Sequence, residues 1–148
     1  MYRHILIPTD GSKLAAKGIR AGVRLAAALG ARVTGVCVVP PYMPPMYDEG
    51  TAYFPGPAKA AQRKAAQLRA RKALAMVEIE AQAAKVPCAT RIAVSDQPWR
   101  AILAAARSRN CDTIVMASHG RGGLGGLILG SETTRVLASS KIPVLVIR

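Results

Sequence analysis

The chain has 148 residues, 51% hydrophobic and 4% aromatic, and its 21 Lys and Arg against 8 Asp and Glu give a formal charge of +13. That length suits a single domain able to bury roughly 70% of the surface its unfolded form exposes, without a metal or disulfide staple. No apolar stretch approaches the length of a bilayer span and Met1-Tyr-Arg-His-Ile-Leu-Ile has no signal-peptide core, so we expect a soluble cytoplasmic protein with no membrane partner.

Short apolar runs alternate with longer helix-compatible segments, the pattern of a parallel sheet covered on both faces. His4 to Pro8 reads as the first strand, Ser12 to Leu29 as a helix ended by Gly30, and Val33 to Val39 as a second strand closed by Pro40. Pro40 to Pro57 carries six prolines and four of the six aromatic residues. It is a long surface loop, either a flap that folds over a ligand or an excursion without a role. Ala58 to Lys85 is Ala-rich and basic, with Leu68, Ala75 and Ile79 at helical spacing, which predicts a long amphipathic helix covering the sheet. Cys88 to Val94 follows as a third strand. Pro98 suits the first turn of a helix running to about Arg109, with Trp99 in the core. Thr113 to Ala117 is a continuous apolar strand, Ser131 to Ser140 a helix and Ile142 to Ile147 the last strand. The expectation is one domain over residues 1–148, with five strands, four helices and no internal repeat.

The positive charge invites a nucleic-acid reading, but Lys and Arg are spread along the chain. The densest run, Lys59 to Lys72, has the spacing of a solvated helix face and no aromatics for base stacking. No specific nucleic-acid partner is expected, only a field that attracts anions in general, nucleotide phosphates included. Cys37, Cys88 and Cys111 are widely spaced, odd in number and set among apolar residues, which reads as reduced core thiols.

The chemistry concentrates in Ala117-Ser-His-Gly120, nine further residues, and Gly130-Ser131, between the fourth strand and the last helix. Glycines let backbone curl closely round a ligand, and the helix opening at Ser131 offers unpaired N–H groups to phosphate. Gly120-Arg-Gly122-Gly-Leu-Gly125 imitates a dinucleotide fingerprint but lacks the acidic residue about 20 positions on. Gly125 to Ser131 imitates a P-loop, with Ser131 where the lysine belongs. A firmer pairing joins Pro8-Thr9-Asp10-Gly11-Ser12, after strand one, to Met116 to Gly120, after strand four. With strands ordered 3-2-1-4-5, these two turns meet at the topological switch point, beyond whose strand ends open α/β sheets leave a crevice. Asp10 there either accepts hydrogen bonds from an adenine amino group or a ribose hydroxyl, or caps the helix near Ser12.

Over essentially its whole length the chain resembles the universal stress protein family. ATP-binding members show G-x-x-G-x9-G-[ST] followed by a helix and a closing apolar strand, and three of those four positions are kept here as Gly120, Gly130 and Ser131. The Pro8-Thr9-Asp10 turn and the ending Lys141-Ile-Pro-Val-Leu-Val-Ile are similar to the family's. The resemblance implies a Rossmann-like, adenine nucleotide alpha hydrolase-like fold and an ATP-binding regulatory module. By it, Asp10 and Val38 border the adenine and Met116 and Ala117 the base and ribose, with Pro8 and Thr9 also at the nucleotide site. Gly120, Arg121, Gly130, Ser131, Glu132 and Thr133 then border the phosphates. His119 orients the loop, touches phosphate or lies in solvent, and His4 is structural. Ala117 replaces the first motif glycine. A negative φ there tolerates one methyl group, whereas a positive φ or direct backbone contact weakens binding. That departure keeps a second reading open, a dimeric stress-associated interaction protein that holds no nucleotide.

Ser118, His119 and Asp10 lack the strained elbow and buried acid of a nucleophilic triad, and no cluster has metal-ligand spacing. We therefore expect no enzyme beyond slow ATP hydrolysis, with any Mg²⁺ carried by the triphosphate. The apolar last strand, Ile142 to Ile147, falls at a sheet edge and predicts a homodimer through its pairing with a second copy, a partner the family resemblance also implies.

Overall fold

The computed structural model describes residues 1–42, 56–118 and 129–148, with backbone alone for 56–58. Nine elements follow in chain order: β1 His4–Pro8, α1 Lys13–Leu29, β2 Arg32–Val39, α2 Gly56–Ala83, β3 Cys88–Val94, α3 Pro98–Ser108, β4 Thr113–Ala117, α4 Ser131–Ser139 and β5 Val144–Ile147. The strands form one sheet ordered β3-β2-β1-β4-β5, and every neighbouring pair is parallel. This is the predicted doubly covered α/β architecture.

Alternation along the strands sends successive side chains to opposite faces, and the cores follow that period. Ile5, Ile7, Val33 and Val115 pack with Ile19 and Val23 of α1 and Val77 and Ala81 of α2. Leu6, Val36, Ile114 and Met116 pack on the other face with Ile102, Leu103 and Ala106 of α3 and Val136 of α4. Ser12 caps α1, its hydroxyl accepting from the Ala15 N–H at 3.1 Å, and Gly30 ends the helix at φ 63°. Gly30 supplies a left-handed turn that a side chain resists.

Four expectations need correction. Helix α2 begins at Gly56, inside the expected Pro40–Pro57 loop, because Pro57 in the first turn forfeits no helical hydrogen bond. The rest of that loop, residues 43–55, lies outside the described residues. The stripe that α2 buries is Ala70, Ala73, Leu74, Val77 and Ala81, whereas Leu68 and Ile79 are 55% and 65% exposed. Small residues bring the helix close to β2: a Cβ placed on Gly35 would stand 3.2 Å from the Val77 methyls. Cys88 is exposed at the start of β3, while Cys37 and Cys111 are buried, and none of the three is in a disulfide. Strand β5 starts at Val144 and not at Ile142, since Pro143 has no N–H for the ladder and Ile142 is turned by bonds between its main chain and the Ser140 hydroxyl.

Candidate functional site

Strands β1 and β4 are the neighbours at which the sheet order reverses. They pair only at Ile5 with Thr113 and Leu6 with Ile114, so Ile7–Pro8 and Val115–Ala117 continue past the last pairing on either side. The carboxyl ends of these strands thus part, which opens the crevice expected at a switch point.

On the β1 side the chain leaves the sheet through a turn held by its own side chains. The Thr9 N–H donates to the Val36 carbonyl at 2.9 Å and the buried Thr9 hydroxyl accepts from Gly11 N–H at 3.1 Å. Asp10 Oδ1 accepts from Ser12 N–H at 2.9 Å, an Asx turn that leads into α1. Gly11 has φ 77°, a conformation that suits glycine. Of the two roles left open for Asp10, capping α1 falls to Ser12. Pro8 sits on the face of the sheet that carries Leu6. Val38 and Met116 lie on that same face, against or within the α3–α4 core, and are half-buried and buried.

On the β4 side, α4 is tied to the end of the strand. Gly130 N–H donates to the Ser118 carbonyl at 2.8 Å, Ser118 N–H donates to the Ile147 carbonyl at 2.8 Å, and the Thr133 hydroxyl donates to the Ala117 carbonyl at 3.1 Å. Thr133 is 2% exposed, so this bond is shielded from water. The first intrahelical bond of α4 runs from Thr134 N–H to the Gly130 carbonyl. The N–H groups of Ser131, Glu132 and Thr133 therefore have no acceptor within the helix, and the positive end of the helix dipole stands at the mouth of the crevice. That donor set fits the phosphate end of a nucleotide.

Ala117 has an ordinary strand backbone: among the described residues only Lys85 and Asn110 combine a side chain with positive φ. The methyl group in place of the motif glycine thus carries no backbone strain. Helix α1 passes close behind it, and a Cβ on Gly18 would lie 3.1 Å from the Ala117 nitrogen. Ser118 is buried and its main chain is engaged on both sides. His119, Gly120 and Arg121 lie outside the described residues.

Glu132 does something the sequence did not reveal. Its carboxylate accepts from the Trp99 N–H at 2.8 Å, in the first turn of α3, and pairs with Arg135 at 3.4 Å. Gln97, at the N-cap of α3, makes no side-chain capping bond, and Glu132 from another helix serves instead. No spacing rule links residues 33 positions apart. The carboxylate of Glu132 is thus turned to α3, and its main-chain N–H is the part of it left facing the crevice end. Among the described residues no group of His, Cys, Asp and Glu has the makings of a metal site, and no helix is long and apolar enough to cross a membrane.

The family model for the universal stress protein family matches residues 1–148. The chain belongs to that family. A universal stress protein of Thermus aquaticus is 33% identical over 148 residues, covering 100% of both chains. Among solved structures, the universal stress protein UspA from Lactobacillus plantarum superposes with a TM-score of 0.81 at 24% identity, over 99% of this chain and 98% of that one. A universal stress protein solved in complex with cAMP superposes with a TM-score of 0.67 at 24% identity, over 99% of this chain and 97% of the other.

Proposed function

We propose that this universal stress protein binds an adenine nucleotide, ATP with any Mg²⁺ carried on its phosphates, where β1 and β4 part, and that it works as a cytoplasmic regulatory module and not as an enzyme. The observation that carries the reading is the docking of the α4 N-terminus onto the end of β4 through Thr133 and Gly130, at the place in the sheet where β1 pairs on with β2 but no longer with β4. In this reading Asp10 and Val38 border the adenine, Met116 and Ala117 the base and ribose, and the N–H groups of Ser131 to Thr133 the phosphates, with Pro8 and Thr9 also at the nucleotide site. His119, Gly120 and Arg121 complete the phosphate loop. The known structure of a universal stress protein with cAMP supports the ligand class, and the strain-free backbone at Ala117 supports binding despite the missing glycine.

Asp10→Ala tests the site. It should weaken ATP at least tenfold, about 1.4 kcal/mol, and weaken free triphosphate much less, as read by calorimetry. Equal losses for the two ligands would mean that Asp10 acts only through the turn it shapes. The second reading, a dimer without nucleotide, rests on what the missing glycine still leaves there, a methyl group where backbone would approach the ligand. An ultraviolet spectrum of protein purified without added nucleotide, followed by chromatography of what heat releases, separates the two. In both readings the whole chain is one domain, and β5 at the sheet edge, with Leu145 exposed, joins two copies.

A further inference from the structure

At the opposite end of the sheet, where the strands begin, lies an open cleft of about 410 Å³ lined by His4, Arg32, Thr34, Cys88, Ser108 and Arg109 among others. From Thr34 to Val39 a strand rise of about 3.3 Å per residue separates it from the switch-point end by roughly 17 Å. Its size is within the range of small-ligand sites. No acidic residue lines it. Among the described residues the one ion pair is Arg135 with Glu132, so neither Arg32 nor Arg109 is ion-paired; the nearby Asp112 carboxylate is engaged by the Arg3 and His4 N–H groups at 2.7 and 3.2 Å. A third guanidinium, that of Arg91, reaches the rim by donating to the Ser108 hydroxyl at 3.2 Å.

The cleft also carries a buried imidazole. His4 is 6% exposed; its Nε2 meets the Thr34 hydroxyl at 2.8 Å, and the Arg109 main chain acts on the ring as a hydrogen-bond acceptor. Helix α3 ends at this cleft, and its carbonyl end carries about half a negative charge, less than the two guanidiniums that line the walls. Guanidinium forks match the oxygens of phosphate, and two or three cations without an ion pair favour a dianion over a monoanion.

We propose that this cleft is a second binding site, separate from the nucleotide crevice, which takes a phosphomonoester or inorganic phosphate between Arg32 and Arg109. The open mouth leaves the organic part of an ester in solvent. Burial and the Arg32 guanidinium lower the pKa of His4, with the Arg109 main chain and Asp112 pulling upward and the Arg109 guanidinium again lowering it. A bound dianion adds to the upward pull, so the imidazole reports occupancy of the cleft.

The probes are inorganic phosphate and methyl phosphate, titrated into the full chain and followed by calorimetry and by the His4 imidazole resonances. Because phosphate also suits the crevice, the same titrations are run on Gly130→Val, whose branched side chain obstructs the α4 end. Saturable binding should persist in Gly130→Val, fall at least tenfold in Arg32→Gln/Arg109→Gln, and raise the pKa of His4 in the wild type. Should the double variant fold poorly, Arg109→Gln alone carries the same expectation. The proposal is overturned if binding is lost in Gly130→Val and kept in the arginine variant, if His4 is unmoved at saturation, or if Gly130→Val shows no saturable binding up to about 10 mM. Persistence of this binding when Asp10→Ala abolishes ATP binding would separate the two sites, and failure of the crevice reading leaves this one standing.

Discussion

Replacing Thr133 by Val removes one oxygen and little else. The two side chains share a shape, so the buried site keeps its packing and opens no cavity. What disappears is the hydroxyl that donates to the Ala117 carbonyl at 3.1 Å. A typical hydrogen bond contributes about 0.5–1.5 kcal/mol net, but abandoning a buried acceptor costs about 1–3 kcal/mol. With Thr133 2% exposed and Ala117 buried, the second figure governs, and we take about 2 kcal/mol. For a domain of this size that lowers the melting temperature by about 4–8 °C. Thr133→Ser is the control: it keeps the hydroxyl and deletes one buried methyl, at about 1 kcal/mol. Urea unfolding followed by circular dichroism ranks the stabilities, and calorimetry with ATP reads the crevice. Thr133→Val should be the less stable of the two and lose nucleotide affinity, because the α4 N-terminus is then held to the end of β4 only through Gly130; Thr133→Ser should bind like the parent. Serine proving worse than valine in stability, or valine binding ATP as the parent does, would refute the reasoning.

Three further outcomes are expected. Leu145→Asp, at an exposed edge position of β5, should give a monomer by sedimentation with the fold intact, and a variant that still dimerises fully would move the interface elsewhere. His4, faced by Arg32, Arg109 and Asp112, has its pKa lowered by burial and Arg32, so the folded state binds that proton less readily than the unfolded chain. Stability is then complete above the unfolded value of about 6.5 and falls as pH drops through the lower folded value. His4→Gln should flatten the urea midpoint between about pH 7 and 5. Burial, aided by Asp112, pushes the Cys111 thiol up to about 11, and burial with Glu78 raises exposed Cys88. A thiol reagent should modify Cys88 slowly in the native protein and reach Cys37 and Cys111 only on unfolding.

The strands could be read in advance because parallel strands covered on both faces are written as apolar runs, the first two closed here by Pro8 and Pro40; their order, 3-2-1-4-5, was a premise and not a reading of those runs. The crevice followed from that order. What failed was size as a guide to burial in α2. Leu68 and Ile79 are larger than Ala70 and Ala81, yet the helix packs so near Gly35 that the small residues face the sheet. Cys88 looked like a core thiol from its type, but it begins an edge strand with little over it. The backbone at Ala117 was undecidable from sequence, since a methyl group alone does not reveal φ. Glu132, on the motif helix, looked like a phosphate neighbour because the helix dipole draws attention to backbone; its side chain instead answers a need of α3 that only the folded chain exposes.

That last contact has an optical consequence. Trp99 is the protein's sole tryptophan, its ring lies 5.0 Å from the Arg100 guanidinium, and its amide is bonded to the second residue of α4. Any shift of the α4 N-terminus that disturbs Glu132 therefore loosens the first turn of α3 and changes the surroundings of one indole. Excited where the four tyrosines do not absorb, the fluorescence of the unlabelled protein is a single-site signal of that contact, and exchange of one amide hydrogen reads the same movement on a slower clock.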